Sequence, residues 1–95
     1  MSGYVLADVT WTDREARNEY IELFGPSLTA HGGEMVAASG DVEVMEGDWQ
    51  LGERLVLLSF PTREAALAWY GSEEYRSALA IRKRSSVSRV LIFGG

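Results

Sequence analysis

Two stretches of this chain, Leu55-Val56-Leu57-Leu58 and Val90-Leu91-Ile92-Phe93, are apolar on both alternating sets of side chains. Side chains of a strand point alternately to opposite faces, so an antiparallel strand with one wet face alternates apolar with polar. Both faces of these two strands therefore need cover. Helices of the same chain can cover one face of the sheet. No residues remain for the other, and self-association with twofold symmetry is the simplest cover. A sheet left bare in water would be an aggregation hazard.

The chain is short enough to need that help. Its 95 residues make a single domain, residues 1–95, and a domain of this size buries only roughly 60–65% of the surface its unfolded chain exposes. A net charge of −5 argues against nucleic acid or an anionic membrane as partner. Arg82, Lys83 and Arg84 form a basic cluster late in the chain, which reads as a solvated helix end. The absence of cysteine excludes disulfides and thiolate chemistry, and a lone histidine disfavours a transition-metal site. No metal or cofactor is expected. Neither a signal-peptide pattern nor a membrane-spanning apolar run is present, which predicts a cytoplasmic location.

Local signals give an element order of β-α-β-β-α-β. Residues 4–11 read as a strand, rich in β-branched and aromatic side chains. Thr12 and Glu15 have the spacing of a capping box that opens a helix. That helix places Ala16, Tyr20, Leu23, Phe24 and Leu28 on one face and Arg14, Arg17, Asn18 and Glu22 on the other. Gly25-Pro26 is expected to break or kink it, and Gly32 to serve as its left-handed cap. Short strands follow over 34–38 and 42–45, interrupted at Ser39-Gly40-Asp41 by a bulge or tight turn. The run 54–60 is the strongest strand. Pro61-Thr62 starts a second helix that Gly71 ends, and Ser72 caps a further one. Residues 88–93 form the last strand. Trp11-Thr12-Asp13-Arg14-Glu15-Ala16 and Phe60-Pro61-Thr62-Arg63-Glu64-Ala65 repeat the passage from strand to helix. Two split β-α-β halves of this kind make an α+β, ferredoxin-like fold, an antiparallel sheet with its helices on one face.

The chain resembles a bacterial family known as domain of unknown function 1330. The resemblance rests on Tyr4-Val5-Leu6-Ala7-Asp8-Val9, His31-Gly32-Gly33, and Val42-Glu43-Val44-Met45-Glu46-Gly47-Asp48-Trp49. It continues through Phe60-Pro61-Thr62-Arg63-Glu64-Ala65-Ala66, Ala68-Trp69-Tyr70-Gly71-Ser72-Glu73-Glu74-Tyr75, and Arg82. It implies a dimeric α/β barrel, in which two ferredoxin-like sheets face one another. Relatives of that superfamily include cofactor-free monooxygenases, lactone isomerases, polyketide cyclases, dehydratases and haem-degrading enzymes, a menu rather than a function. Two departures stand out. Ala38-Ser39 occupies the place of an arginine typical of the family, and Lys83-Arg84-Ser85-Ser86 replaces a usually small, apolar stretch.

Candidate chemistry gathers around one arginine. Tyr75, Leu79 and Arg82 follow at i, i+4 and i+7, so Arg82 shares the inward stripe of its helix. An inward guanidinium needs an acceptor: a carboxylate such as Asp8 or Asp48, a backbone carbonyl, or an anionic ligand. Asp8 sits within a strand on the face of Tyr4 and Leu6, where it is either a structural ion-pair partner or a general acid or base. His31, at a helix C-terminus, is either a surface cap or a catalytic group that reaches the cleft between helix and sheet. Asp48 and Trp49 lie in the long hairpin connection, where Trp49 anchors a dimer interface or rims a partner's pocket. Trp69, Tyr70 and Tyr75 are core residues at helical spacing, or the walls of a pocket for a flat organic substrate. The expected function is a homodimeric small-molecule protein, a cofactor-independent isomerase, cyclase or monooxygenase acting by proton transfer. In it Asp8 or His31 is the base, Arg82 and Tyr75 steady negative charge, and Trp69, Tyr70, Asp48 and Trp49 contact substrate. The rival is a non-catalytic binding or dimerisation module.

Overall fold

The structure, a computed structural model, describes residues 1–95. Its elements run β1 (Gly3–Trp11), α1 (Arg14–Ala30), β2 (Glu34–Ser39), β3 (Arg54–Phe60), α2 (Arg63–Tyr70), α3 (Glu73–Ser85) and β4 (Ser86–Gly94). The strands form one antiparallel sheet in the order β2-β3-β1-β4, the ferredoxin-like arrangement. β1 is central because its odd residues, Val5, Ala7 and Val9, are small or β-branched and fully covered by the helices. Its even residues, Tyr4, Leu6, Asp8 and Thr10, point to the other face, which no helix covers and which the end of the 40–53 segment reaches only at Thr10 and, through Arg89, near Asp8.

That open face carries the apolar residues that break alternation. Register places Leu55 and Leu57 beside Asp8 and Leu6, with Leu91 and Phe93 on the other flank. Phe93 stacks on Tyr4 at a centroid distance of 5.3 Å and remains 42% exposed.

The helix boundaries follow local chemistry, with three corrections. Asp13, not Thr12, caps α1: its Oδ1 accepts from the backbone N–H groups of Glu15 and Ala16 at 3.0 and 3.2 Å. α1 continues through Pro26 to Ala30 without a break. The proline ring normally clashes with the Cβ of the residue before it, and Gly25 has none. Leu23, expected to face inward, is exposed. Gly32 adopts φ +72° after the helix, the left-handed conformation that glycine tolerates. Thr62 and Ser72 cap α2 and α3 as their sequences predict, accepting from Ala65 N at 3.0 Å and Tyr75 N at 3.2 Å.

The hairpin differs from expectation. Residues 42–45 form no strand, and Val42, Val44 and Met45 are exposed. The register shift lies within β2, between Met35 and Ala37, not at Ser39-Gly40-Asp41, where the strand ends. Residues 40–53 instead make an irregular arm from the edge strand back to β3.

The core is an aromatic stack between sheet and helices. Trp69, 2% exposed, meets Phe60 at 5.5 Å, Phe24 at 6.1 Å and Tyr75 at 4.1 Å. Its indole N–H donates to the buried Ser27 hydroxyl at 3.1 Å, and that hydroxyl donates to the Phe24 carbonyl at 2.7 Å. Every side-chain polar atom sealed in this core has a partner.

Candidate functional site

α1 does not close fully onto the sheet. A cavity of about 410 Å³ lies between them. Val5, Ala7 and Val9 of β1 form its floor, Tyr20 and Phe24 of α1 its roof, and Trp69, Tyr70, Tyr75 and Arg82 its inner wall. Its lining is mostly apolar, with a few polar groups from the tyrosines and arginines, the usual make-up of a small-molecule pocket.

Arg82 is the group whose chemistry demands an explanation. It is 5% exposed, yet none of the three ion pairs in the molecule includes it. Its Nε donates to the Tyr75 hydroxyl at 3.3 Å, and its Nη1 donates to the Ser88 hydroxyl. A guanidinium has five N–H donors, so Nη2 makes no protein hydrogen bond. No sealed side-chain nitrogen lacks a partner, so Nη2 keeps some accessible surface, and Arg82 is one of the residues that line the cavity. Burial works against the charge, but the hydroxyls of Tyr75 and Tyr20 outweigh it and hold the guanidinium above its ordinary range. Two serines at the end of α3 and the start of β4 belong to this setting. Ser86 Oγ donates to the Arg82 carbonyl at 2.5 Å, and Ser85 is buried beside it in sequence.

Two phenols extend the polar patch. Tyr20 and Tyr75 share a hydrogen bond of 2.8 Å. Burial, and then the neighbouring Tyr75, push the Tyr20 phenol far above its usual range, so it stays protonated. Two O–H groups serve one mutual bond, which leaves one O–H for a ligand whichever phenol donates. The cavity wall thus presents a fixed cation and a hydroxyl donor on an apolar background, an arrangement suited to a carboxylate, enolate or phenolate.

The structure brings together Trp69, Tyr70, Tyr75 and Arg82 and separates the other four candidates from them. Asp8 lies on the open face of the sheet, opposite the cavity. Its partner is not Arg82 but its cross-strand neighbour Arg89, with Nη2 at 2.5 Å and Nε at 3.1 Å from Oδ2. Antiparallel register fixes that pairing, and only the register could have revealed it. His31 stands outside the cavity, with Nε2 2.8 Å from Glu74 Oε1. That bond is the main reason the Glu74 carboxyl titrates below its usual value. Asp48 accepts from Gln50 Nε2 at 2.9 Å, and Trp49, 61% exposed, donates its indole N–H to the Glu46 carbonyl at 3.0 Å. Both lie in the exposed arm, away from this cavity.

Sequence reasoning missed Trp11, Arg17, Tyr20 and Arg54 as cavity residues. Arg17, assigned to the solvent face of α1, is half-buried at the cavity. Its spacing to Tyr20 and Phe24, i to i+3 and i+7, is the signal that places it at the edge of the inward face. Ala38 lines the cavity, and Arg54 Nη2 donates to its carbonyl at 3.4 Å.

Fold and cavity together define a ferredoxin-like α+β protein with a mostly apolar, ligand-sized pocket beneath α1. The chain belongs to the family described as domain of unknown function (DUF1330), whose model matches residues 2–95. No curated protein matches it. Among solved structures it is similar to a Rhodopseudomonas palustris protein of unknown function, at 20% identity and a TM-score of 0.76, over 99% of this chain and 82% of that one. A Thermobifida fusca protein described as dimeric, ferredoxin-like and of unknown function matches at 17% identity and a TM-score of 0.65, over 100% and 92% of the two chains. A protein described as an antibiotic biosynthesis monooxygenase matches at 14% identity and a TM-score of 0.53, over 100% and 98%. At these identities the similarity establishes the fold alone.

Proposed function

We propose that this protein is a homodimer whose cavity takes a small, partly aromatic metabolite carrying an acidic or enolisable group. We further propose that it transforms this metabolite without a cofactor, as an isomerase, cyclase or monooxygenase does. The observation that carries the reading is Arg82, a buried cation that lines the cavity with no carboxylate partner and with Nη2 unpaired. Leaving a cation desolvated and unpaired is costly, and an anionic ligand relieves the cost.

Arg82 and the free phenol O–H would steady negative charge on the ligand oxygen, and Trp69 and Tyr70 would hold its ring. No carboxylate or imidazole lines the cavity, so Asp8 and His31 are not part of this reading. The substrate would lose its proton to water, and Arg82, by lowering the substrate's pKa, would favour the resulting anion in the cavity. The fit of an antibiotic biosynthesis monooxygenase to the same fold supports this choice of chemistry.

Benzoylacetone provides the test, because its enolate absorbs in the ultraviolet. Binding to the protein should lower its apparent pKa by about one unit, equivalent to roughly 1.4 kcal/mol of preference for the anion. Arg82→Gln should abolish that shift while the far-ultraviolet circular dichroism stays unchanged. An equal shift in both proteins would defeat the assignment.

The empty list of bases favours a second reading, a carrier or sensor that binds the same anion without changing it. Deuterium uptake at the probe's acidic carbon separates the two: a carrier leaves the rate at or below that in buffer. The dimer rests on the open apolar face and on the dimeric description of the T. fusca relative. Sedimentation at micromolar concentration should give twice the 10.5 kDa chain mass, and a monomer would remove the pairing.

A further inference from the structure

A second hollow adjoins the cavity and shares Trp11, Arg17 and Arg54 with it. Its lining is polar and carries three arginines, Arg14, Arg17 and Arg54, against a single carboxylate, Glu53. None of the three arginines takes part in an ion pair. Arg54 makes one long bond, 3.4 Å to the Ala38 carbonyl, and Arg17 makes no side-chain bond within the protein. Four of the eight arginines of a chain with net charge −5 therefore border two hollows that meet. Three like charges set against one carboxylate leave an excess of positive charge, so the arrangement favours a bound anion.

Sheet register fixes the relation of this cluster to Arg82. Ser88, which Arg82 contacts, lies opposite Val9 of β1, and Val9 lies opposite Arg54 of β3. Arg54 and Ser88, the serine that Arg82 reaches, thus flank β1 in one row. Two strand spacings separate the backbones of Arg54 and Ser88, about 10 Å. Between them lies the apolar floor of the cavity.

We infer that the ligand carries a second anionic group, held at the mouth by Arg17 and Arg54 while the first sits against Arg82. The substrate class is then a flat dianion, an aromatic or polyketide-like acid with an enolisable or acidic group at one end and a carboxylate or phosphate at the other. Arginine forks pair with either oxyanion in two-pronged geometry. This inference rests on the Arg82 reading for the position of the first anion, but its evidence is the separate arginine cluster.

The test compares benzoylacetone with its 4-carboxy and 4-phosphonooxy derivatives by calorimetry. The derivatives should bind the wild-type protein at least about tenfold more tightly than the parent, a gain of roughly 1.4 kcal/mol. The double substitution Arg17→Gln with Arg54→Gln should erase that gain, so that derivatives and parent bind the variant with affinities equal to within about twofold. A pairing of Arg17→Lys with Arg54→Lys should restore part of it, which a purely structural role would not do. Whichever derivative gains more identifies the oxyanion. Benzoylacetone binding that depends on Arg82, with no gain from the second charge, would overturn the mouth site alone. A gain that depends on Arg17 and Arg54 without any Arg82 dependence would retain the mouth site and overturn the Arg82 reading. Absence of binding by all three probes would overturn both.

Discussion

Trp69→Ala should remove about 3–5 kcal/mol of folding stability, the range for truncating a buried tryptophan. Trp69 is 2% exposed and touches Phe24, Phe60, Tyr70 and Tyr75, so a void there has no mobile neighbour to fill it. It would also withdraw the indole N–H from Ser27, which is buried on the opposite helix. Small domains have roughly 5–15 kcal/mol in total, and this one stands towards the lower end of the size range. The change would therefore leave a protein close to its unfolding midpoint at 25 °C. Urea titration followed by circular dichroism measures the loss. Leu67→Ala on the same helix, at a residue 45% exposed, should cost less than about 1 kcal/mol. Comparable losses at the two positions would mean that the stack is not the centre of the core.

Gly3→Ala is the second large effect, and it acts through space rather than through backbone freedom. A Cβ on Gly3 would lie 2.3 Å from the Thr62 carbonyl oxygen and 2.6 Å from the Arg63 Cα, both main-chain atoms. That carbonyl accepts the Ala66 N–H at 3.2 Å, and the Thr62 side chain caps the same turn. Relief therefore requires moving either the start of the central strand or the first turn of α2. Overpacking typically costs about 1–3 kcal/mol, and rigid backbone neighbours place this case near the top. Gly71→Ala should change stability by no more than about 0.5 kcal/mol, since its Cβ would meet only the Leu67 carbonyl at 3.8 Å. Thermal unfolding of both variants decides the point: a mild Gly3→Ala would show that α2 can slide on the sheet.

The reach of the sequence can be judged from particular residues. Thr62, Ser72 and Gly32 were legible because capping and left-handed turns are local, set within three or four positions. The strands were legible because pleating writes burial into a period of two. Residues 42–45 misled for the same reason: Val42 and Val44 alternate like a strand, but pairing needs a neighbour, and none adjoins them. The capping-box spacing points to Thr12, whereas the next residue, Asp13, takes the cap because its carboxylate reaches the Glu15 and Ala16 N–H groups.

The site divides along the same line. Arg82, Tyr75, Trp69 and Tyr70 share helical faces and were readable as one inward group. Asp8 was correctly placed on its own strand face, but the side of the sheet that face occupies depends on where the helices pack. Its partner Arg89 is 81 residues away in sequence and adjacent only through register. Arg17 and Arg54 lie on different elements, and only the folded chain brings them to one opening.

The three tryptophans are distributed in a way that makes the molecule its own optical reporter. Trp11 and Trp69 line the cavity, whereas Trp49 stands in the exposed arm. In a Trp49→Phe background, all remaining indole emission would come from the walls of the pocket. Entry of an aromatic anion would then quench or shift that emission directly, without a label.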